Sequence, residues 1–404
     1  MIEKKKIMIL GGGLNQISLF NVAKELGYYS ILCDSKDNTI CMQYCDQFIQ
    51  IDISKSECVV EVAKKENVDG VVSNTESLMM CLSEVQTELN LIGNPVESIN
   101  KLSNKKLFRD SLKKNGLFAP TAEQCNDYDE ALMKLEIVGV PAIIKPEESS
   151  GSRGTYILNN KKDLHKNVFD DSLKWSRNNR VLIESFVDMS GKNAIEAEMF
   201  VFNGKIEHLF CFRTIRDKKY STIPQCYCSA IEIDDELQNR IFDELSRIVS
   251  HLQIMWGEYN VELSFTSNND IFIIEINSRQ GGMRLPEFVR LFSGININKL
   301  LVSTATNDLD YLNLIRKEGT HINENVIHYR ILCDQEGVYN GIQIDNDLQK
   351  YLVEEFFYYN IGDNIVPSEH SMASIGVLDF VFPDNVCRKQ YETAIFDLIN
   401  ILVR

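Results

Sequence analysis

The chain has 404 residues, 44% of them hydrophobic and 25% charged, with a formal net charge of −16. That length exceeds one ordinary core and predicts two or three globular domains. The acidity, with no basic stripe to offset it, excludes a general binder of nucleic-acid backbones. No apolar run approaches the roughly 18 residues that a membrane-spanning helix needs, so no membrane partner is expected. The first apolar run, 7–10, is too short for a signal peptide, and the 11 cysteines lack metal-ligand spacing. A cytoplasmic chain with reduced thiols is the expectation.

The chain opens with a short apolar strand over 6–10, followed by Gly11-Gly-Gly-Leu-Asn-Gln16. Helical spacing runs from 17 to 26 and stops at Gly27, and a second strand over 29–33 closes at Asp34. This β-α-β unit resembles a dinucleotide fingerprint, with Asp34 as the ribose acid, but Gln16 stands at the third glycine position. The same loop, through Gly13, suits a small substrate at a strand end. The alternation continues with a helix over 58–66, a buried strand over 70–73, a helix over 78–89 and a short last strand over 91–95. Residues 1–97 are therefore expected to form a doubly wound parallel-sheet domain. Glu76 follows the strand at 70–73, on the ligand side of such a sheet, and is a candidate for contacting a substrate amine.

A helix is predicted over 104–114, carrying Lys105 and Lys106, with Gly116 as its stop. A second helix follows over 129–135 with Asp129 as N-cap. The strand 142–146 carries Lys145 and leads into Ser149-Ser150-Gly151-Ser152-Arg153-Gly154. Two glycines and three serines let backbone N–H groups and hydroxyls approach an anion. This is no Walker A loop, because the lysine precedes the glycines. The strand over 180–187 contains Glu184, Ser185, Phe186 and Val187. A hairpin turns on Asn203-Gly204 between 194 and 212, and a long amphipathic helix is predicted over 235–252.

The next stretch, 259–279, reads as two alternating strands joined by the polar cluster Thr266-Ser-Asn-Asn-Asp270. Folded symmetrically about Asn268-Asn269, it sets Glu262 against Glu275 and Asn260 against Asn277. Like charges directly opposite on a sheet are destabilising, so facing carboxylates suggest a cation between them. Two carboxylates and an amide oxygen, with positions left for phosphate oxygens, suit Mg²⁺. A solvated acidic face would show the same alternation. Arg279 follows on the same face, placed for a phosphate or carboxylate. A second glycine-rich bend carries Arg284, and helices are predicted over 286–292 and 296–304. Beyond about 310 come strands at 328–332, 341–344 and 376–382 and a closing helix over 388–402.

This ordered set resembles the ATP-grasp superfamily: a lysine on a helix, a strand lysine before a Gly/Ser loop, an acidic strand end, and an E…E-x-N-x-R hairpin. The layout is most similar to the branch of biotin carboxylase, carbamoyl-phosphate synthetase and L-amino-acid ligases. The resemblance implies an α/β and α+β multidomain fold. Its parts are a doubly wound N-terminal domain (1–97), a two-lobed ATP-grasp domain (98–310, with a small lid lobe about 118–187) and a small β-rich domain (311–404). It implies that Lys105 and Lys145 hold ATP phosphates under a loop containing Ser150, Gly151, Ser152 and Gly154. Glu184, Ser185, Phe186 and Val187 would meet the adenine. Glu262, Glu275 and Asn277 would hold Mg²⁺, with Mn²⁺ as an alternative. Arg279 would face the transferred phosphoryl group, and Gly13, Glu76 and Arg284 the substrate.

The implied activity is an ADP-forming ligase that activates a small carboxylate as an acyl phosphate for attack by an amine, dipeptide formation included. Other ATP-grasp chemistry, of formate or carbamate type, and a nucleotide-binding regulator with a decayed site are the alternatives. A homodimer is compatible with the resemblance. Three departures stand out. The stretch 188–194 lacks the ribose glutamate, for which Glu196 and Glu198 are the nearest substitutes. Met283 stands where biotin carboxylases carry a basic glutamate. Asn260 replaces the histidine common in amino-acid ligases.

Overall fold

A computed structural model describes residues 4–149, 153–187, 194–216, 224–230, 233–368 and 374–404. The N-terminal sheet is parallel, with strands in the order Gln47–Gln50, Tyr29–Asp34, Lys6–Leu10 and Gly70–Val72. Side chains alternate across a strand. Ile7 and Ile9 therefore pack with Leu19 and Phe20 on one face, while Met8 and Leu10 pack with Val59, Ala63 and Val85 on the other. Both faces are covered, as a parallel sheet requires. The helix Ile297–Ala305 covers the first face from far along the chain. It approaches closely enough that a Cβ at Gly70 would lie 2.5 Å from the Ala305 carbonyl oxygen.

Two expectations for this region change. The segment 91–95 is not a strand, and the outer strand is Gln47–Gln50. Asn94 explains the first: its Oδ1 accepts from the N–H groups of Met255 and Trp256, at 2.9 and 3.0 Å, and its Nδ2 donates to the Trp256 carbonyl at 2.6 Å. The segment's polar groups thus serve the central part of the chain rather than the sheet.

The central and C-terminal strands form one antiparallel eight-stranded sheet. Its order is Ile271–Asn277, Trp256–Phe265, Ile195–Phe202, Lys205–Ile215, Cys226–Cys228, Val326–Ile331, Gly376–Val381 and Leu352–Phe357. The hairpin at Asn203-Gly204 has positive φ at both turn residues, 52° and 74°, as a two-residue turn demands. The amphipathic helix Asp235–His251 lays Ile241, Leu245 and Ile248 on Met199, Val201, Val261 and Leu263. Burial of each such side chain contributes roughly 1.5–3 kcal/mol. By alternation, Glu196, Glu198, Asn260 and Glu262 point to the opposite face.

A separate four-stranded antiparallel sheet, ordered Ala122–Cys125, Val181–Ser185, Ala142–Pro146 and Tyr156–Leu158, builds the small lobe. Its helix Tyr128–Val138 is capped by Asp127, not Asp129: the Asp127 side chain accepts from the Glu130 N–H. The closing helix Asn385–Leu398 is shorter than its periodicity suggests and gives way to a strand, Ile399–Val403. That strand pairs with Gly337–Ile344 in a three-stranded sheet.

Candidate functional site

Three neighbouring strands of the large sheet set two rows of polar side chains on one face. In the first row Glu196 pairs with Glu262 and Glu262 with Glu275; in the second Glu198 pairs with Asn260 and Asn260 with Asn277. The facing of Glu262 with Glu275 depends on a register shift that symmetry about Asn268-Asn269 does not contain. Near the turn Phe265 pairs with Ile271 and Leu263 with Ile273, centring the loop on Asn268. Ile274 is then the extra residue of a β-bulge, and beyond it the two glutamates come opposite one another.

The second row is knit by hydrogen bonds. Asn260 Nδ2 donates to Glu198 Oε1 at 2.9 Å, and Asn277 Nδ2 to Asn260 Oδ1 at 3.4 Å. The Gly281 N–H donates to both Glu198 oxygens, at 2.9 and 3.1 Å. Burial nevertheless pushes the Glu198 carboxyl up to about 8. Burial, with the adjacent Glu196 and Glu275, pushes Glu262 up to about 8 as well. Glu275 goes the other way: against the effect of burial, Lys105 and Lys145 hold it below the ordinary carboxylate range.

The cations come from two other elements. Asn104 caps the helix Lys105–Lys114 through its Oδ1, which accepts from the Leu107 N–H at 2.9 Å. The cap aims Lys105 at the hairpin, where its Nζ lies 3.2 Å from Glu275 Oε1 and donates to the Ser149 carbonyl at 2.9 Å. Lys106 turns away to pair with Asp110 at 2.6 Å. Lys145 bonds Glu184. Arg109, one helical turn beyond Lys105, was not singled out from the sequence and is 1% exposed. It donates to Glu184 Oε2 at 3.1 Å and to the carbonyls of Ile273 and Ile274 at 3.0 and 2.8 Å. Its spacing of four from Lys105 was the available signal.

Arg279 Nη2 donates to Glu76 Oε2 at 2.9 Å, and Arg177 lies 3.3 Å from the other Glu76 oxygen. Glu76 therefore joins the site through two arginines. The Glu184 carboxylate is taken by Arg109 and Lys145. The backbone N–H groups of Ser185 and Phe186 bond Thr121 and Pro141 carbonyls within the small lobe, and Val187 ends the described stretch there. Gly154, at φ 65°, is held by the Ser172 hydroxyl, which donates to its carbonyl at 2.6 Å. Ser150, Gly151 and Ser152 lie outside the described residues.

Arg284 stacks over the Phe356 ring, with 4.6 Å to its centroid, and lies 3.8 Å from Glu287. The carbonyl of Gly13 accepts from the Cys41 thiol and the Gln16 N–H. Gln16 reaches across to Thr75 Oγ1 at 3.0 Å, next to Glu76. Asp34, the ribose acid of the incomplete dinucleotide fingerprint, instead accepts from the N–H groups of Gly12 and Lys36, both at 2.8 Å.

Among the described residues no three His, Cys, Asp or Glu side chains form a metal cage. The candidate set of two carboxylates and one amide is the partial shell that Mg²⁺ takes when phosphate oxygens and water complete it. A divalent cation there would also offset the burial and the carboxylate repulsion that together raise Glu262. Among the described residues no helix is long and apolar enough to cross a membrane.

Residues 104–282 match the family described as carbamoyl-phosphate synthase L chain, ATP binding domain. The carbamoyl phosphate synthase large chain of Pseudothermotoga lettingae is 26% identical over 321 residues, covering 75% of this chain and 28% of that protein. The formate-dependent phosphoribosylglycinamide formyltransferase of Prochlorococcus marinus is 29% identical over 281 residues, covering 68% of this chain and 70% of that one. Among solved structures, the L-amino acid ligase of Bacillus licheniformis superposes with a TM-score of 0.82 at 19% identity, over 100% of both chains. The phosphoribosylglycinamide synthetase of Anaerococcus prevotii does so with a TM-score of 0.76 at 21% identity, also over 100% of both chains. The lysine pair and the E…E-x-N-x-R hairpin lie inside the matched residues 104–282, so this segment is similar to the carbamoyl-phosphate synthase ATP-binding domain, and the chain as a whole shares the fold of these ligases.

Proposed function

We propose that this protein is an ATP-dependent, ADP-forming ligase that joins a small carboxylate to an amine. The observation that carries the reading is the facing of Glu262 and Glu275 beside Lys105, Lys145 and Arg279. A carboxylate is a poor acyl donor because its leaving group would be oxide. Attack of its oxygen on the γ-phosphorus of ATP breaks the bond to ADP and gives an acyl phosphate, whose leaving group is phosphate. An amine then attacks the carbonyl carbon, the bond to phosphate breaks, and the nitrogen loses a proton.

The chain's part is positioning and charge neutralisation. Glu262, Glu275 and Asn277 would hold Mg²⁺, which offsets charge on the phosphate oxygens. Lys105, beside Glu275, and Lys145, beside Glu184, would neutralise the rest of the polyphosphate. Arg279, fixed by Glu76, would face the transferred group. Met283 at the position of the biotin carboxylase base weighs against bicarbonate as the carboxylate. The full-length likeness to an L-amino acid ligase favours amino acids as substrates. Phosphate release from ATP and Mg²⁺ in the presence of pooled carboxylates and amines, followed by mass spectrometry of the product, tests the reading. Release that no carboxylate stimulates, or no release with any pool, overturns it.

A further inference from the structure

A tight turn, 176–180, joins the helix Lys166–Lys174 to the strand Val181–Ser185 in the small lobe. Asn179 takes it at φ 55°. The Ser176 hydroxyl donates to Asn178 Oδ1 at 2.9 Å and accepts from the Arg180 N–H at 3.3 Å. With its oxygen held, Asn178 presents both amide hydrogens to the strand end after Lys145. Its Nδ2 donates to Glu147 Oε2 at 2.6 Å and to Glu148 Oε1 at 3.0 Å. The main chain adds two bonds, from the Arg177 N–H to the Glu148 carbonyl at 3.0 Å and from the Glu147 N–H to the Arg180 carbonyl at 3.1 Å. Glu147 and Ser176 are buried. The turn therefore moves as one body with the strand that carries Lys145.

The Arg177 side chain crosses from this body to the N-terminal domain, where its Nη2 donates to Glu76 Oε1 at 3.3 Å. Glu76 follows the parallel strand Gly70–Val72, and Arg279 fixes its other oxygen at 2.9 Å. One carboxylate thus meets two guanidiniums, one on the small lobe and one at the end of the metal hairpin. The two halves of the connection differ in strength. The bonds that seat the turn are several and partly buried, whereas the Arg177 side chain is 42% exposed and that of Glu76 20%. An exposed ion pair shifts an equilibrium only a few-fold and opens readily. The connection between the small lobe and the N-terminal domain therefore parts first at Arg177.

We propose that the Arg177–Glu76 pair is a catch that holds the small lobe against the N-terminal domain while a nucleotide is bound. The inference rests on the ATP site of the ligase reading. A nucleotide whose phosphates lie between Lys145 on the small lobe and Lys105 on its helix leaves as the lobe swings away, and the catch parts before that swing. Among the described residues Arg177 bonds neither the metal set nor the two lysines, so its effect falls on release rather than on phosphoryl transfer.

The test follows release of a fluorescent ADP, its N-methylanthraniloyl derivative, from the full chain with Mg²⁺ and no other substrate. Excess ADP chases the bound probe in a stopped-flow fluorimeter. Arg177→Gln is expected to speed release about threefold, the scale of one exposed ion pair. On a Glu76→Gln background the same change is expected to have no effect, because the pair is already broken. The threefold difference is expected to shrink toward one in about 0.5 M sodium chloride, which screens exposed charges. Arg177→Lys keeps the charge and is expected to recover part of the retention. Unchanged release in Arg177→Gln, the same acceleration on both backgrounds, or a difference that salt leaves intact overturns the catch. The two readings fail in different ways. A wild type that binds no fluorescent ADP overturns the ATP site and the catch with it, whereas binding with equal release from every variant overturns the catch alone.

Discussion

Glu262 lies directly opposite Glu275 because Ile274 bulges out of the partner strand, and Arg109 holds that bulge by its Ile273 and Ile274 carbonyls. Without the extra residue, the register nearer the turn would carry on and set Glu275 against Val261. The pair of carboxylates is thus a product of the bulge as much as of the alternation.

Glu275→Gln keeps the shape and removes the charge that Lys105 and a metal would share. The expected outcome is a loss of at least ~10²-fold in the rate of phosphate release, the order seen when one preorganised electrostatic group is deleted. Steady-state assays at saturating ATP check it, and a near-normal rate would remove Glu275 from the metal set.

Arg109 is a buried guanidinium with three partners. Arg109→Leu leaves the Glu184 oxygen and two strand carbonyls without it and is expected to cost about 3–5 kcal/mol of stability. Arg109→Lys keeps the charge but not the fork of donors, and should fall between the two. Urea unfolding of the three proteins measures the order.

The Glu184 carboxyl is raised by burial but carried down to about 2 by Lys145 and Arg109. A carboxyl whose folded pKa lies below its unfolded value gives stability that is present above the unfolded pKa, near 4.5, and is lost as pH falls toward 2. Stability should therefore decline between about pH 4.5 and 2 more steeply in the wild type than in Glu184→Gln. Chemical denaturation at a series of acidic pH values reads the difference.

Asn94 ties the segment after the N-terminal sheet to the strand that carries the site. Asn94→Ala strands the Met255 and Trp256 N–H groups and the Trp256 carbonyl, and is expected to cost roughly 1–3 kcal/mol. The same urea measurement checks it, and a change below about 0.5 kcal/mol would mean that water replaces the side chain.

Much of the local structure is legible from residue order. The strand carrying Lys145 has the bounds its apolar run suggests, and the Asn203-Gly204 turn is where its residue types require it. The cap that separates Lys105 from Lys106 was present as Asn104. Gln47–Gln50 escaped notice because half of its four residues are glutamine and it is an outer strand with no continuous apolar run. The segment 91–95 misled for the opposite reason: its apolar residues face a packed surface, but the Asn94 side-chain amide, 161 and 162 residues away in sequence from its partners, takes the place of a ladder.

Alternation alone determined that Glu262, Asn260, Glu196 and Glu198 each lie on the face opposite the helix-covered core, because strand side chains repeat every second residue. Which of them meet was decided only in three dimensions. The order of strands in the large sheet places Glu196 beside Glu262, the bulge at Ile274 brings Glu275 to the pair, and the packing of the N-terminal domain against the sheet encloses Glu258. Lateral pairing and domain contacts are made between residues far apart in the chain, so their register has no signature in any local window.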